Sequence, residues 1–162
     1  MRLAPQIAQA GIAVDATPLR LALAGPLRLE WVPKLFGLET APWLGERAPD
    51  IRPGARSYRC DLDLQIGGDD HLILRESVLV TLSAVSPVDP GWDVWIDWHA
   101  VEPDPRFPVF AGRLRLRPGR LELGGYFSPA GGRVDDRRDM TGLDTVVRAT
   151  GRWFLRTVSA VL

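Results

Sequence analysis

The chain has 162 residues, 46% of them hydrophobic and 25% charged, and its formal net charge is zero. This size and composition fit one soluble domain with an apolar core, and the balanced charge excludes a general attraction to nucleic acid or anionic lipid. We therefore expect no nucleic-acid partner. The sequence also contains no run of apolar residues long enough to span a membrane, so membrane insertion is not expected either.

Cysteine and histidine are scarce, which bounds the chemistry further. Cys60 is the only cysteine, and the chain has two histidines. A lone cysteine cannot form an internal disulfide, and this favours a cytoplasmic location. One cysteine and two scattered histidines are too few for a typical zinc site, so we expect no metal and no cofactor.

The first part of the chain, residues 1–57, has the weakest pattern. Residues 19–24 predict a first strand. Residues 31–36, in which Pro33 suits a first helical turn, predict a short helix. Residues 42–53 are typical of a loop.

From Tyr58 to Phe127 the sequence alternates between apolar and polar residues, which indicates antiparallel strands with one buried face. The alternation is clearest in residues 58–66, 72–84 and 92–100. The prolines and glycines in residues 86–91 and 102–108 predict loops between strands. The residues expected to face inward include Tyr58, Cys60, Leu62, Leu64, Leu74, Glu76, Val78, Val80, Trp92, Val94, Ile96 and Trp98.

The sequence of the last two strands predicts how they pair with each other. With Pro118 and Gly119 at the tip of a hairpin, apolar residues pair with apolar ones and a base pairs with an acid. The expected pairs are Leu116 with Leu121, Arg115 with Glu122, and Leu114 with Leu123. A Pro-Gly sequence suits a type II turn, whose twist fits a two-residue hairpin poorly, so a loop one or two residues longer is expected.

Residues 136–162 change to a period near 3.6, which predicts one long C-terminal helix. One side of this helix is apolar and is expected to lie on the core. It comprises Leu143, Val147, Thr150, Phe154, Val158 and Val161, while Arg148, Arg152 and Ser159 lie opposite. Gly142 and Gly151 interrupt the helix and mark a bend or a close approach to the sheet.

Together these patterns predict a single α+β domain. Residues 58–127 are expected to form a curved antiparallel sheet wrapped around the helix of residues 136–162. A sheet that curves around a helix tends to leave a pocket between them, so an apolar cavity is expected.

The inward aromatic residues are candidates for lining this cavity, because small-molecule sites are mostly apolar with a few polar groups. They are Tyr58, Trp92, Trp98, Phe110, Phe127 and, on the helix, Phe154. Ordinary core packing is the alternative for each of them.

Glu76 is the strongest departure from the pattern, because its position in the alternation places a carboxyl group on the apolar face. An unpaired carboxylate there is costly. Glu76 is therefore a candidate for orienting a ligand or moving a proton. The alternatives are a bulge that turns it to solvent, or a neighbouring arginine.

A row of arginines, Arg113, Arg115, Arg117 and Arg120, has the outward position on the last two strands. Such a row suits phosphate contacts. Glu122 lies opposite and the chain has no excess of basic residues, which favours a solvated face instead.

The antiparallel strands are followed by residues 107–114 (FPVFAGRL), residues 121–131 (LELGGYFSPAG) and a long helix containing residues 152–155 (RWFL). This order of elements resembles bacterial members of the START-like helix-grip superfamily, also called SRPBCC, which includes polyketide cyclase-like proteins. The resemblance implies a curved sheet gripping the C-terminal helix around a hydrophobic cavity. It implies no catalytic residue, because the superfamily shares a fold and not a reaction.

Three functions are consistent with these observations. The first is binding of a small apolar or aromatic molecule in the cavity, without a cofactor. The second is an enzyme of the polyketide cyclase or dehydratase kind, in which Glu76 or a water that it holds moves a proton. The third is an interaction domain whose interior is filled by its own side chains.

Overall fold

A computed structural model describes residues 16–37, 41–66, 72–130 and 137–162 of the chain. Within these ranges lie eight strands, a short 3₁₀ helix at Leu29–Trp31, and two α-helices. Their bounds are β1 Thr17–Ala24, α1 Val32–Gly37, β2 Glu46–Ala48, β3 Ala55–Ile66, β4 Leu72–Ser83, β5 Ser86–Val88, β6 Gly91–Ala100, β7 Val109–Arg117, β8 Arg120–Ser128 and α2 Arg137–Val161.

The strands form one antiparallel sheet in the order β1-β8-β7-β6-β4-β3-β2, and β5 pairs with β6. Helix α2 contacts β1 and β8 at one side of the sheet and β3 near the other. The sheet is therefore curled into a half-barrel whose concave face holds the helix. The α+β helix-grip arrangement predicted from the sequence is confirmed.

The hairpin of β7 and β8 has the predicted register, with Leu114 opposite Leu123 and Arg115 opposite Glu122. The expectation of a longer loop is wrong, because only two residues separate the strands. Gly119 has φ of +73°, which a type II turn requires at this position. Gly25 directly follows β1, and its backbone N–H donates to the Gly119 carbonyl at 3.0 Å. This hydrogen bond stabilises the turn.

Two short strands lie where the sequence predicts loops. Strand β2 falls inside residues 42–53, and β5 falls inside residues 86–91. Each has only three residues, too few for an alternating pattern, and Pro87 in β5 is unusual in a strand. The sheet also extends beyond residues 58–127 because β1 pairs with β8 along its full length.

The apolar side of α2 is buried against the concave face, as predicted. Leu143, Val147, Phe154 and Val158 are each at most 3% exposed. At Gly151 the helix approaches the sheet so closely that an added Cβ would lie 2.5 Å from Leu21 Cδ1. Gly151 therefore marks the close approach, whereas an added Cβ at Gly142 would meet nothing within 4 Å.

The convex face of the sheet is partly covered as well. The turn between β2 and β3 lies over it, and Arg52 of this turn forms an ion pair with Asp97. Beside this pair Ser57 Oγ and Thr81 Oγ1 are hydrogen bonded at 2.9 Å, and both residues are buried. Among the described helices, none combines the length and the apolar character needed to cross a membrane.

The burial of α2 can be tested with Phe154, which is fully buried and contacts Trp98. We expect Phe154→Ala to lower the free energy of unfolding by about 3 to 5 kcal/mol, because it removes a large buried ring and leaves a cavity. Denaturant melts of the two proteins measure this loss.

Arg152→Ala is the control on the same helix, since Arg152 is exposed to solvent. This change should alter the free energy of unfolding by less than about 0.5 kcal/mol. A loss below about 1 kcal/mol for Phe154→Ala would contradict the placement of the helix.

Candidate functional site

Three of the candidate aromatic residues come together at the centre of the concave face. The rings of Trp98 and Phe110 are stacked with centroids 4.3 Å apart, and Phe154 of α2 lies 6.3 Å from Trp98. Each of the three is at most 1% exposed. The interior at this level is thus packed by aromatic rings from β6, β7 and α2.

Trp98 carries the main polar anomaly of this cluster. Its indole Nε1–H is buried and has no hydrogen-bond acceptor among the described residues. Leaving a buried donor unpaired costs about 1 to 3 kcal/mol. An acceptor supplied by a bound molecule would satisfy this group.

Of the other three aromatic candidates, Phe127 is fully buried and pairs with Phe110 of the cluster in the register of β7 and β8. The remaining two, Tyr58 and Trp92, lie on β3 and at the start of β6. Tyr58 is 2% exposed and pairs with Val80 in the register of β3 and β4. Trp92 is half-buried at the start of β6, where its Nε1–H donates to the Leu29 carbonyl at 3.2 Å. Trp92 therefore fastens the 3₁₀ helix to the sheet.

Glu76 lies at the other end of the sheet from Trp92. Strand β6 ends at Ala100, which pairs with Val78, and Glu76 is two residues further along β4. At about 3.3 Å per residue, roughly 30 Å separate Trp92 from Glu76. A small molecule cannot contact both side chains, so the sequence-predicted residues belong to different parts of the interior.

The surroundings of Glu76 follow from the unequal lengths of β4 and β6. Glu76 pairs with Leu62 of β3 and has Leu74 and Val78 as its neighbours on the concave face. Beyond the end of β6, the loop of residues 101–108 continues along β4, beginning with Val101 N–H donating to the Ser77 carbonyl at 2.8 Å. The half-buried Glu76 therefore faces this loop at the rim of the half-barrel.

The loop brings a second carboxyl group, that of Asp104, into hydrogen-bond contact with Glu76. Asp104 is held in place by Arg106, whose Nε and Nη2 donate to its two oxygens at 3.2 and 3.0 Å and whose backbone N–H donates at 2.9 Å. Phe107, which is 1% exposed, anchors the loop in the core. The Asp104 side chain is 13% exposed, while that of Arg106 is 72% exposed.

The two carboxyl groups have opposite proton affinities. The pKa of Glu76 is raised to about 7, chiefly by burial and then by the hydrogen bond and negative charge of Asp104, while the charge of Arg106 opposes the rise. The hydrogen bond from Arg106 is the main cause that lowers the pKa of Asp104 to about 2. The shared proton therefore resides on Glu76, which donates to the Asp104 carboxylate.

This pair can hold or release a proton near neutral pH, which is the property required of a general acid or base. The sequence identified Glu76 but not Asp104 or Arg106. The available signal was Asp104 followed two residues later by a basic residue in a proline-rich loop, a common turn pattern that does not indicate a contact with β4.

Two other kinds of site find no support among the described residues. Burial is the main cause that raises the pKa of Cys60 to about 12, and its Sγ donates to the Leu44 carbonyl at 3.2 Å, so the thiol is protonated at neutral pH. Among the side chains that the structure describes, no three of His, Cys, Asp and Glu are grouped to hold a metal ion.

Comparison of the chain with protein-family models, curated proteins and solved structures finds no match in any of the three.

The raised pKa of Glu76 makes stability depend on pH with a defined sign. The folded state binds the Glu76 proton up to about pH 7, whereas the unfolded state releases it near the ordinary value of 4.5. The contribution to stability is complete below pH 4.5 and is lost as the pH rises to 7. The difference between pKa values of 7 and 4.5 corresponds to about 3 kcal/mol. Because Glu76 is only half-buried and solvent screens its charge, the wild-type free energy of unfolding should fall by about 2 kcal/mol between pH 4.5 and 8 relative to Glu76→Gln, which cannot ionise.

Denaturant melts across this pH range measure the effect. Glu102→Gln is the matched control, because Glu102 is exposed in the same loop and should leave the pH dependence of the wild type unchanged. Parallel stability profiles for the wild type and Glu76→Gln would show that Glu76 ionises as an exposed glutamate does.

Proposed function

We propose that this chain is a START-like helix-grip protein that binds a small, mostly apolar or aromatic molecule carrying a hydrogen-bond acceptor. The ligand lies between α2 and the concave face of the sheet, and no cofactor takes part. With a single reduced cysteine, a cytoplasmic location belongs to the same proposal.

The observation that carries this proposal is the buried Nε1–H of Trp98. The indole is 1% exposed, yet this donor has no acceptor among the described residues. By contrast Trp92, which also packs against this core, has its donor satisfied by the Leu29 carbonyl. Buried donors are nearly always paired, so an unpaired one at the centre of an apolar interior favours an acceptor that arrives with a ligand.

Glu76 supports the same site from the rim. Strand geometry places it roughly 14 Å from Trp98, with Val78 and Ala100 between the two. Both intervening residues are apolar and buried. A ligand with an apolar body and polar groups at its ends matches this arrangement of two donors separated by an apolar surface.

Two ligands that differ only in an acceptor test this proposal. Naphthalene and 2-acetylnaphthalene share a ring system, but only the second has a carbonyl oxygen. We expect the folded protein to bind 2-acetylnaphthalene about tenfold more tightly, because one buried hydrogen bond contributes about 1.4 kcal/mol. Fluorescence titration measures both dissociation constants.

The test of mechanism replaces Trp98 with 3-benzothienylalanine, which keeps the ring shape but has sulfur in place of N–H. This replacement should abolish the preference for the ketone. The same replacement at Trp92 is the matched control and should preserve it. If the folded protein binds neither compound, the proposal fails and the packed rings favour an interaction domain with a filled core.

A second candidate function, an enzyme of the polyketide cyclase or dehydratase kind, is favoured by the Glu76–Asp104 pair. Such reactions remove a proton next to a carbonyl group. Glu76, with a pKa of about 7, is suited to accept that proton once ionised. Asp104 and Arg106 would keep the carboxyl group oriented and set its pKa.

Turnover of a poly-β-keto thioester measured against pH tests this second function. We expect kcat/KM to rise as the pH passes through about 7, and Glu76→Gln to lower it by about 100-fold or more. Asp104→Asn removes the neighbouring charge that raises the pKa of Glu76, so the rise should move to lower pH. Glu102→Gln is the control, and an undiminished kcat/KM in Glu76→Gln would exclude Glu76 as the base.

A further inference from the structure

The convex face carries two open clefts that meet beside one tryptophan. The first has a volume of about 520 Å³ and the second about 970 Å³. Trp95 and Gly112 line both of them. Since volumes of 300 to 1,000 Å³ are typical of small-molecule sites, the two clefts together can hold a two-part ligand.

The second cleft is strongly cationic even though the chain has no net charge. Its charged lining residues are Arg20, Arg113, Arg115, Arg120 and Glu122 on the sheet and Arg148 on α2, so this cleft runs from the convex face at Trp95 to the helix. Three of these arginines have carboxylate partners: Arg113 with Asp93, Arg120 with Glu122, and Arg148 with Asp144. Arg20 and Arg115 are exposed and have no ion-pair partner within the described part of the chain.

The sheet register places these arginines around a gap. On the convex face Arg20 of β1, Gly124 of β8 and Arg113 of β7 lie in one row, followed by Trp95 of β6. Strands are about 4.8 Å apart, so roughly 10 Å separate Arg20 from Arg113 across a residue without a side chain. An anion seated over Gly124 would lie between two guanidinium groups.

The first cleft has a different character. It lies between Trp95 and the turn of residues 52–54, and Ala111 and Gly112 form part of its floor. Trp95 is half-buried, and the guanidinium of Arg113 lies 4.6 Å from its ring centroid. A flat ring can enter this apolar space beside Trp95 while an attached anionic group reaches the arginines.

We propose that the convex face binds a phosphorylated molecule with a flat aromatic ring, of the mononucleotide kind. The phosphate contacts Arg20, Arg113 and Arg115 over Gly124, and the ring occupies the cleft between Trp95 and residues 52–54. Neither cleft is lined by Trp98 or Glu76, so this site does not depend on the function proposed above.

Phosphate fits this arrangement because guanidinium groups donate paired hydrogen bonds to its oxygens, and several can converge on one phosphate. The sequence favoured a solvated face for the arginine row because Glu122 stands opposite. In the folded chain, however, some arginines share one carboxylate: Asp93 contacts both Arg113 and Arg117. Arg20 lies on β1, which is far from β7 and β8 in the sequence but pairs with β8 in the sheet. It adds a cation that is not part of the arginine row predicted from the sequence.

Calorimetric titration of the full chain with adenosine 5′-monophosphate tests the proposal. Adenosine and inorganic phosphate are the controls for the ring alone and the anion alone. We expect the monophosphate to bind at least tenfold more tightly than either. Quenching of tryptophan fluorescence, lost in Trp95→Leu, would place the ring beside Trp95.

Two variants locate the phosphate. Arg20→Gln should weaken binding of the monophosphate at least tenfold, because it removes charge-assisted hydrogen bonds. Gly124→Val should abolish binding by filling the gap. A Cβ at Gly124 would meet only ordinary contacts, the nearest at 3.9 Å, so this variant is expected to fold.

Arg75→Gln is the matched control, because Arg75 lies on the convex side of β4 outside both clefts and pairs with Asp63. It should leave the affinity unchanged. The proposal is overturned if the full chain does not bind the monophosphate, or binds it no more tightly than phosphate. It is also overturned if Arg20→Gln and Arg75→Gln weaken binding equally, since that result indicates a general charge effect.

Discussion

The close contact between α2 and the sheet at Gly151 is the constraint on which the rest of the structure depends. An added Cβ at residue 151 would lie 2.5 Å from Leu21 Cδ1 and 3.3 Å from Leu123 Cδ2, so any larger residue would have to displace the ends of these two side chains. Less than one turn further along, Phe154 can then reach the ring of Trp98 on β6. The helix is thereby fixed to β1 and β8, and the remaining strands curl around it until β3 meets its other side.

The curl of the sheet has its own requirement at the pair of Gly112 and Gly125. These residues face each other on β7 and β8, and an added Cβ on either would collide with a backbone carbonyl oxygen of the neighbouring strand. Glycine pairs of this kind allow a sheet to bend sharply. The same bend produces a concave face that receives the helix and a convex face that carries the clefts beside Trp95.

The sequence predicted those elements whose residues repeat a pattern over several turns or strand pairs. The apolar stripe was enough to predict the helix. The match of Leu114 with Leu123 and of Arg115 with Glu122 was enough to predict the hairpin and its register. Strands β2 and β5 were missed because three residues cannot display alternation. Asp104 was missed because its contact with Glu76 depends on where a loop crosses β4, and no local pattern encodes that crossing.

The distribution of charge over the surface could not be predicted from the composition either. A net charge of zero is a sum over the chain, and it excludes only attraction that acts over the whole molecule. Folding separates the charges: Asp104 and Glu76 meet at one rim, whereas Arg20 joins Arg113 and Arg115 on the convex face. The register of β1 on β8 creates this cationic surface, so it becomes visible only once non-local strand pairing is known. The two faces of the curled sheet consequently present different chemistry, a carboxyl pair at the rim of an apolar interior and guanidinium groups around a glycine gap.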